Sequence, residues 1–104
     1  MTVVRIETWD FKADVPTASI KEMCDRYLAL KKELPFILSF TGGLSWEMFE
    51  DSRQRVVFVI EFENQDDLNR YIDDPTHVAL EMNMGSDAVT EGVRNNQYTN
   101  GFWG

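Results

Sequence analysis

Residues 55–62 read RVVFVIEF, an almost unbroken run of β-branched and aromatic side chains. Such a run is a strand before it is anything else. The next residues are just as constrained. Asn64 stands where a helix cap belongs, with Asp67 at the capping-box position. Leu68, Tyr71 and Ile72 then form one apolar side of a short helix. Pro75 suits the first turn of a further helical segment, PTHVALEMNM, ending near Gly85. A strand that runs straight into two short capped helices commits the chain to a mixed fold.

The rest of the chain supplies the partners. Residues 2–11, TVVRIETWDF, read as a strand with Val3, Arg5, Glu7, Trp9 and Phe11 on one face. Val4, Ile6 and Thr8 share the other face. Neither face is cleanly polar, so both are candidates for cover. Thr17 is placed to cap a helix running to about Leu34. Ile20, Met23, Cys24, Tyr27, Leu30 and Leu34 form its apolar stripe, and Pro35 ends it. FILSFTGGLSW, roughly Phe36 to Trp46, reads as a second strand, with Gly42-Gly43 marking a bulge or a close backbone approach. In the tail Tyr98, Asn100 and Phe102 alternate as in a closing strand. The order β-α-β-β-α-(α)-β is the split, ferredoxin-like arrangement with an antiparallel sheet, an α+β fold in one domain over residues 1–104.

Charge narrows the partners. Ten Lys and Arg against 18 Asp and Glu give a net charge of −8. Nucleic acid and anionic membrane surfaces are poor partners for that balance, and no apolar run reaches membrane-spanning length. MTVVRIETWD lacks the basic start and apolar stretch of a secretory signal. With Cys24 as the only cysteine, the reading is a cytoplasmic protein. There is no HExxH, CxxC, P-loop or G-x-G-x-x-G. The expectation is therefore no metal and no cofactor. Cys24 falls on an apolar helix stripe and reads as packing.

The segment VVFVIEFENQDDLNRYIDDPTHVAL resembles the stress-responsive dimeric A/B barrel (Dabb) family. Its members carry a similar strand, an F-x-s step, a helix ending in Tyr, then H-P-x-H-V. The resemblance extends from the N-terminus to about Leu80. Here the first His of that motif is Asp74, giving D-P-T-H, and the second is His77. The resemblance implies a homodimer whose two sheets form an α/β barrel, each subunit keeping a pocket between sheet and helices. Polyketide cyclases of the olivetolic acid cyclase type belong to this family and close a linear polyketide by aldol condensation with a Tyr and a His. Those positions match Tyr71 and His77. The ligand so implied is a small aromatic or polyketide-like molecule.

The residues support that chemistry on their own terms. Aldol closure removes a proton from carbon flanked by carbonyls, and a neutral imidazole is a suitable base. A phenol such as Tyr71 can donate to the enolate oxygen. Asp74, three residues before His77, could hold the other imidazole nitrogen. Arg5 and Glu7, charged on an otherwise apolar strand, need partners: a pocket ligand, each other, or groups across the dimer interface. The candidate substrate-binding groups are Arg5, Glu7, Trp9, Tyr27 and Asp74. Glu61 reads as exposed at a strand edge. Met82 and Met84 cannot share a helix face, so one of them at most lines a pocket. Three functions stay open: a cofactor-free cyclase or lyase, a non-catalytic dimeric binding protein, and a cofactorless monooxygenase using Trp9, Trp46 and Asn83.

Overall fold

The computed structural model describes residues 2–45, 54–86 and 93–100. The elements are β1 (Val3–Phe11), α1 (Thr17–Leu28), α2 (Leu30–Glu33), β2 (Ile37–Leu44), β3 (Gln54–Phe62), α3 (Gln65–Asp73), α4 (Pro75–Gly85) and β4 (Arg94–Thr99). The four strands form one antiparallel sheet in the order β2-β3-β1-β4. This is the α+β, ferredoxin-like arrangement expected from the element order.

The helices cover one face. Val56, Phe58, Ile60 and Phe62 of β3 meet Ile20, Tyr27 and Leu30 of the first helical segments and Leu68, Tyr71 and Met84 of the last two. Alternation along β3 puts Val57 and Val59 on the opposite face, where they are half-buried. On that face Asp10 forms a two-pronged ion pair with Arg55, at 2.6 and 3.0 Å. Glu61 also lies there, opposite Val4 and Ser39. It sits on an interior strand, not at the sheet edge that the sequence suggests. Met84 is buried and Met82 exposed, as their helical spacing requires. No described helix is long and apolar enough to cross a membrane.

The first helix departs from expectation at both ends. Pro16, not Thr17, is the capping position, and its carbonyl accepts from Ser19 and Ile20. The Thr17 hydroxyl bonds the Gln54 side chain instead. The helix also breaks at Ala29. There ψ relaxes to −15°, and Lys32 N–H bonds the Ala29 carbonyl three residues back, a local tightening of the spiral. Leu30, just after the break, is buried in the core.

Irregularity in β2 falls between Ile37 and Ser39 rather than at the glycines. Gly42 serves the second role read for it, a close approach. A Cβ there would lie 2.4 Å from Phe58 Cδ1 and 2.7 Å from the Val57 carbonyl oxygen. Gly42→Ala is therefore expected to destabilise by about 1–3 kcal/mol through overpacking. Gly43→Ala, with no atom within 4 Å of its added Cβ, is the control. Equal denaturation midpoints for the two variants would refute the close approach. Tail residues Arg94–Thr99 form the closing strand beside β1. Trp46, Phe102 and Trp103 lie outside the described residues.

Candidate active site

The charged face of β1 organises the interior. Glu7 is fully buried and lies opposite Phe58 on β3 and Asn95 on β4. Period-two alternation places Arg5 and Trp9 beside it on the same face. Arg5 Nε donates to Glu7 Oε2 at 2.8 Å, and Trp9 Nε1 donates to Oε1 at 3.3 Å. The helices supply the remaining donors: Tyr27 of α1 to Oε1 at 2.6 Å and Tyr71 of α3 to Oε2 at 2.9 Å. Four donors thus converge on the two oxygens, which fills their acceptor sites. The guanidinium extends to the Gln97 side chain on β4. Burial works against the Arg5 charge, but the Glu7 carboxylate more than offsets it and raises the pKa.

Helix α4 brings the histidine. Asp74 caps it, accepting from the backbone N–H groups of Thr76 and His77 at 2.9 and 3.1 Å. That is the place of Asp74: it starts the helix and does not hold the imidazole. His77 is 1% exposed. Its ring stacks on Tyr71 with centroids 3.9 Å apart. Nε2 lies 2.9 Å from the Tyr27 hydroxyl and 2.8 Å from Glu81 Oε2. Nδ1 is buried and has no hydrogen-bond partner among the described residues. The Tyr71 hydroxyl also lies 2.8 Å from that of Tyr27. A continuous chain therefore runs from Glu81, at the rim, through His77 and Tyr27 to Glu7.

The sequence reading names six of these groups. Tyr71, His77, Arg5, Glu7, Trp9 and Tyr27 meet in one cluster, whereas Asp74 stands at its edge. The Arg5–Glu7 pair expected as the alternative to ligand binding is present, but as part of the larger network. Glu81 is the member that the sequence reading does not single out. Its signal is nonetheless there: it follows His77 by four residues on a helix, so the two share a face. Trp9 and Asn83 are not brought together, since Trp9 faces the core and Asn83 is exposed.

Electrostatics keep the phenols protonated. Burial, then the adjacent Glu7 charge, push Tyr27 and Tyr71 upward, far from deprotonation at neutral pH. Burial pushes the Cys24 thiol up to about 11, which fits packing rather than nucleophilic work. Glu81 moves the other way. Its hydrogen bond to His77 lowers it below the ordinary 4.5, against the opposing effect of burial. A depressed carboxyl contributes stability above its unfolded value that is lost as pH falls through its folded value. The stability difference between wild type and Glu81→Gln is accordingly expected to fall away in strong acid. It should shrink as pH drops below about 4. Urea titrations at a series of pH values check this. A gap that widens as pH falls below about 4 would contradict the assignment.

Glu7, His77 and Glu81 bring potential ligand atoms within 4.8 Å of one another. A cation there would have to displace the donors that fill Glu7 and sit beside the Arg5 guanidinium. The trio is a hydrogen-bonded network by construction. Cavities lined by described residues open elsewhere: about 260 Å³ between α1 and β2, lined by Ile20, Cys24 and Leu44 among others, about 700 Å³ beside Phe36 and Arg70, and about 200 Å³ beside Asp10 and Arg55.

A family model described as the stress responsive A/B barrel domain matches residues 3–99. The chain belongs to that family. No curated protein sequence matches it. Solved structures share its fold. One is a dimeric ferredoxin-like protein of unknown function from Jannaschia sp. CCS1, 18% identical, covering 95% of this chain and 99% of that one, with a TM-score of 0.78. Another is SnoaB, a cofactor-independent oxygenase from Streptomyces nogalater, 11% identical, covering 96% and 93%, with a TM-score of 0.75. A third is the hydroxynitrile lyase of Passiflora edulis, 15% identical, covering 97% and 96%, with a TM-score of 0.74. In this A/B barrel domain, the Glu7–His77 network lies between the sheet and all of its longer helices.

Proposed function

We propose that this A/B barrel protein is a cofactor-independent cyclase or lyase. It acts on a polyketide-like or β-dicarbonyl molecule, with His77 as general base. The observation that carries the reading is the buried imidazole with one nitrogen unpartnered among the described residues, packed against two phenols that remain protonated. An imidazole held this way takes the C–H proton, and the electron pair moves onto the carbonyl oxygen as an enolate. The Tyr71 hydroxyl swings from its protein acceptors to donate to that oxygen. The enolate carbon then attacks a second carbonyl, forming the C–C bond, and the imidazolium returns its proton to the new alkoxide. Because His77 and Tyr71 are closed to solvent in the free chain, entry requires the helices to part from the sheet. Likeness to a lyase and a cofactor-independent oxygenase supports a fold that hosts such reactions.

The test is proton exchange in D2O, since abstraction precedes any ring closure. Acetylacetone, a β-keto ester and a linear poly-β-ketone are incubated with wild type and with folded His77→Ala. Wild type is expected to exchange the activated C–H of at least one probe above the buffer rate, and His77→Ala is not. If wild type binds a probe, by quenching of tryptophan fluorescence, yet leaves its exchange unchanged, the protein binds without catalysis.

The same reading includes a homodimer in the cytoplasm. The helix-free sheet face carries Ile6, Val57 and Val59, with Tyr98 half exposed at β4. This apolar strip, set beside the Asp10–Arg55 pair and Glu61 on the same face, calls for cover. A structural relative is itself described as dimeric. Sedimentation at micromolar concentration is expected to return twice 12.1 kDa. Val57→Lys should shift the mass toward the monomer, and a monomeric wild type would overturn the dimer.

A further inference from the structure

We propose that Glu81 is the positioning residue that makes Nδ1 the basic nitrogen of His77. This rests on the reading of His77 as a base. It assigns a role to a residue that neither the motif nor the resemblance points to.

A proton count decides the tautomer. A carboxylate can only accept, and Glu81 Oε2 stands 2.8 Å from Nε2. Two lone pairs cannot face each other at that distance, so Nε2 bears the proton. The second neighbour of Nε2 agrees. Tyr27 has one hydroxyl proton, and its shortest contact, 2.6 Å, is to Glu7 Oε1. Its oxygen is thereby left to share, as an acceptor, the Nε2 proton that faces Glu81, at 2.9 Å. With Nε2 protonated, a neutral ring keeps its lone pair on Nδ1, the atom without a partner among the described residues.

Charge points the same way. The titratable groups facing the ring are Glu81 on α4, Tyr27 on α1, Tyr71 on α3, and Glu7 and Arg5 on β1. The two phenols are neutral. Arg5 and Glu7 are paired at 2.8 Å and largely cancel. The one net charge addressing the imidazole is Glu81, so it alone stabilises the imidazolium formed when Nδ1 takes a proton. A carboxylate behind a histidine orients the ring and stabilises its charged form without taking the proton itself. Helical spacing makes the device compact: residues 77 and 81 are one turn apart, with the carboxylate at the half-buried rim and the ring inside.

His77 is the only histidine in the chain, so the test is spectroscopically clean. In uniformly 15N-labelled wild type, two-bond 1H–15N correlation is expected to show the proton on Nε2 and a bare Nδ1. Glu81→Gln keeps an acceptor oxygen but loses the charge. It should retain the Nε2–H form while the proton affinity of His77 falls about tenfold. Glu81→Ala loses both and should show the same fall, plus faster solvent exchange of the Nε2 proton. With a carbon-acid probe, Glu81→Gln is expected to lower kcat about tenfold with KM unchanged, and the pH profile should shift with the NMR titration. A proton on Nδ1 in wild type, or identical His77 titrations in wild type and Glu81→Gln, overturns the proposal. The magnetic resonance readouts need no turnover. A protein without exchange activity would thus reject the enzyme reading and still decide the role of Glu81.

Discussion

Glu7→Ala is expected to cost about 3–5 kcal/mol of unfolding free energy, the figure for stripping one partner from a buried ion pair. The size follows from what is left behind. Arg5, with its side chain 8% exposed, loses its counter-charge. Tyr27, Tyr71 and Trp9 lose the acceptor they share. Domains of this size have about 5–15 kcal/mol in all, so the variant should sit near the limit of folding. Glu7→Gln keeps one oxygen but presents an NH2 group to neighbours that are themselves donors, and should recover only part of the loss. Arg5→Met combined with Glu7→Leu removes both charges. It should be more stable than Glu7→Ala, though below wild type because the phenols remain unpaired. Urea denaturation of the four proteins gives the comparison. A loss below about 1 kcal/mol for Glu7→Ala would mean that water or another donor set replaces the carboxylate, and the network would not be the centre of the fold.

Such a network marks where sequence reading reaches and where it stops. Period-two alternation is rigid, so the order of residues in β1 is enough to set Arg5, Glu7 and Trp9 on one strand face. The cap at Asn64 and the first-turn place of Pro75 follow from local backbone chemistry, and both helices start there. Tyr71 and His77 are harder. They are six residues apart across a helix break, and nothing local dictates that their rings stack. The family resemblance supplies that step. Glu81 stays hidden because a carboxylate on a helix is ordinarily a solvated group, and only the inward direction of His77 makes its i+4 neighbour matter. Asp74 misleads for the converse reason. Its nearness to His77 in sequence suggests the ring, while the helix start at Pro75 claims its oxygen for backbone donors. The break at Ala29 and the irregularity after Ile37 adjoin Leu30 and Ile37, both of which must seat in the core. Such demands are tertiary and leave no mark in a sequence window.

For a carbon-acid substrate, His77→Ala is expected to lower kcat by a factor of about 10²–10⁴, the usual worth of a positioned general base. The cavity left by the imidazole complicates the comparison, since Tyr71 loses its stacking partner and could shift. His77→Gln is the better probe: it fills more of the space, and its amide can still bond Glu81 or Tyr27, but it cannot accept a proton from carbon. Tyr71→Phe isolates the other half of the mechanism. It keeps the ring face against His77 and removes only the hydroxyl, so its loss should be smaller, about 10²–10³, and confined to kcat. Tyr27→Phe breaks the link between His77 and Glu7, and its effect should fall mainly on stability. The pattern discriminates because a merely structural cluster would behave otherwise. In that case all four tyrosine and histidine variants would lose stability in parallel, while a bound probe exchanged its C–H protons at the buffer rate in every protein. A base at His77 requires instead that exchange be lost in His77→Gln under conditions where the variant remains folded and still quenches on binding. The two outcomes separate within one set of spectra, because stability and proton transfer depend on different atoms of the same network: the oxygens of Glu7 for the first, and the lone pair of His77 for the second.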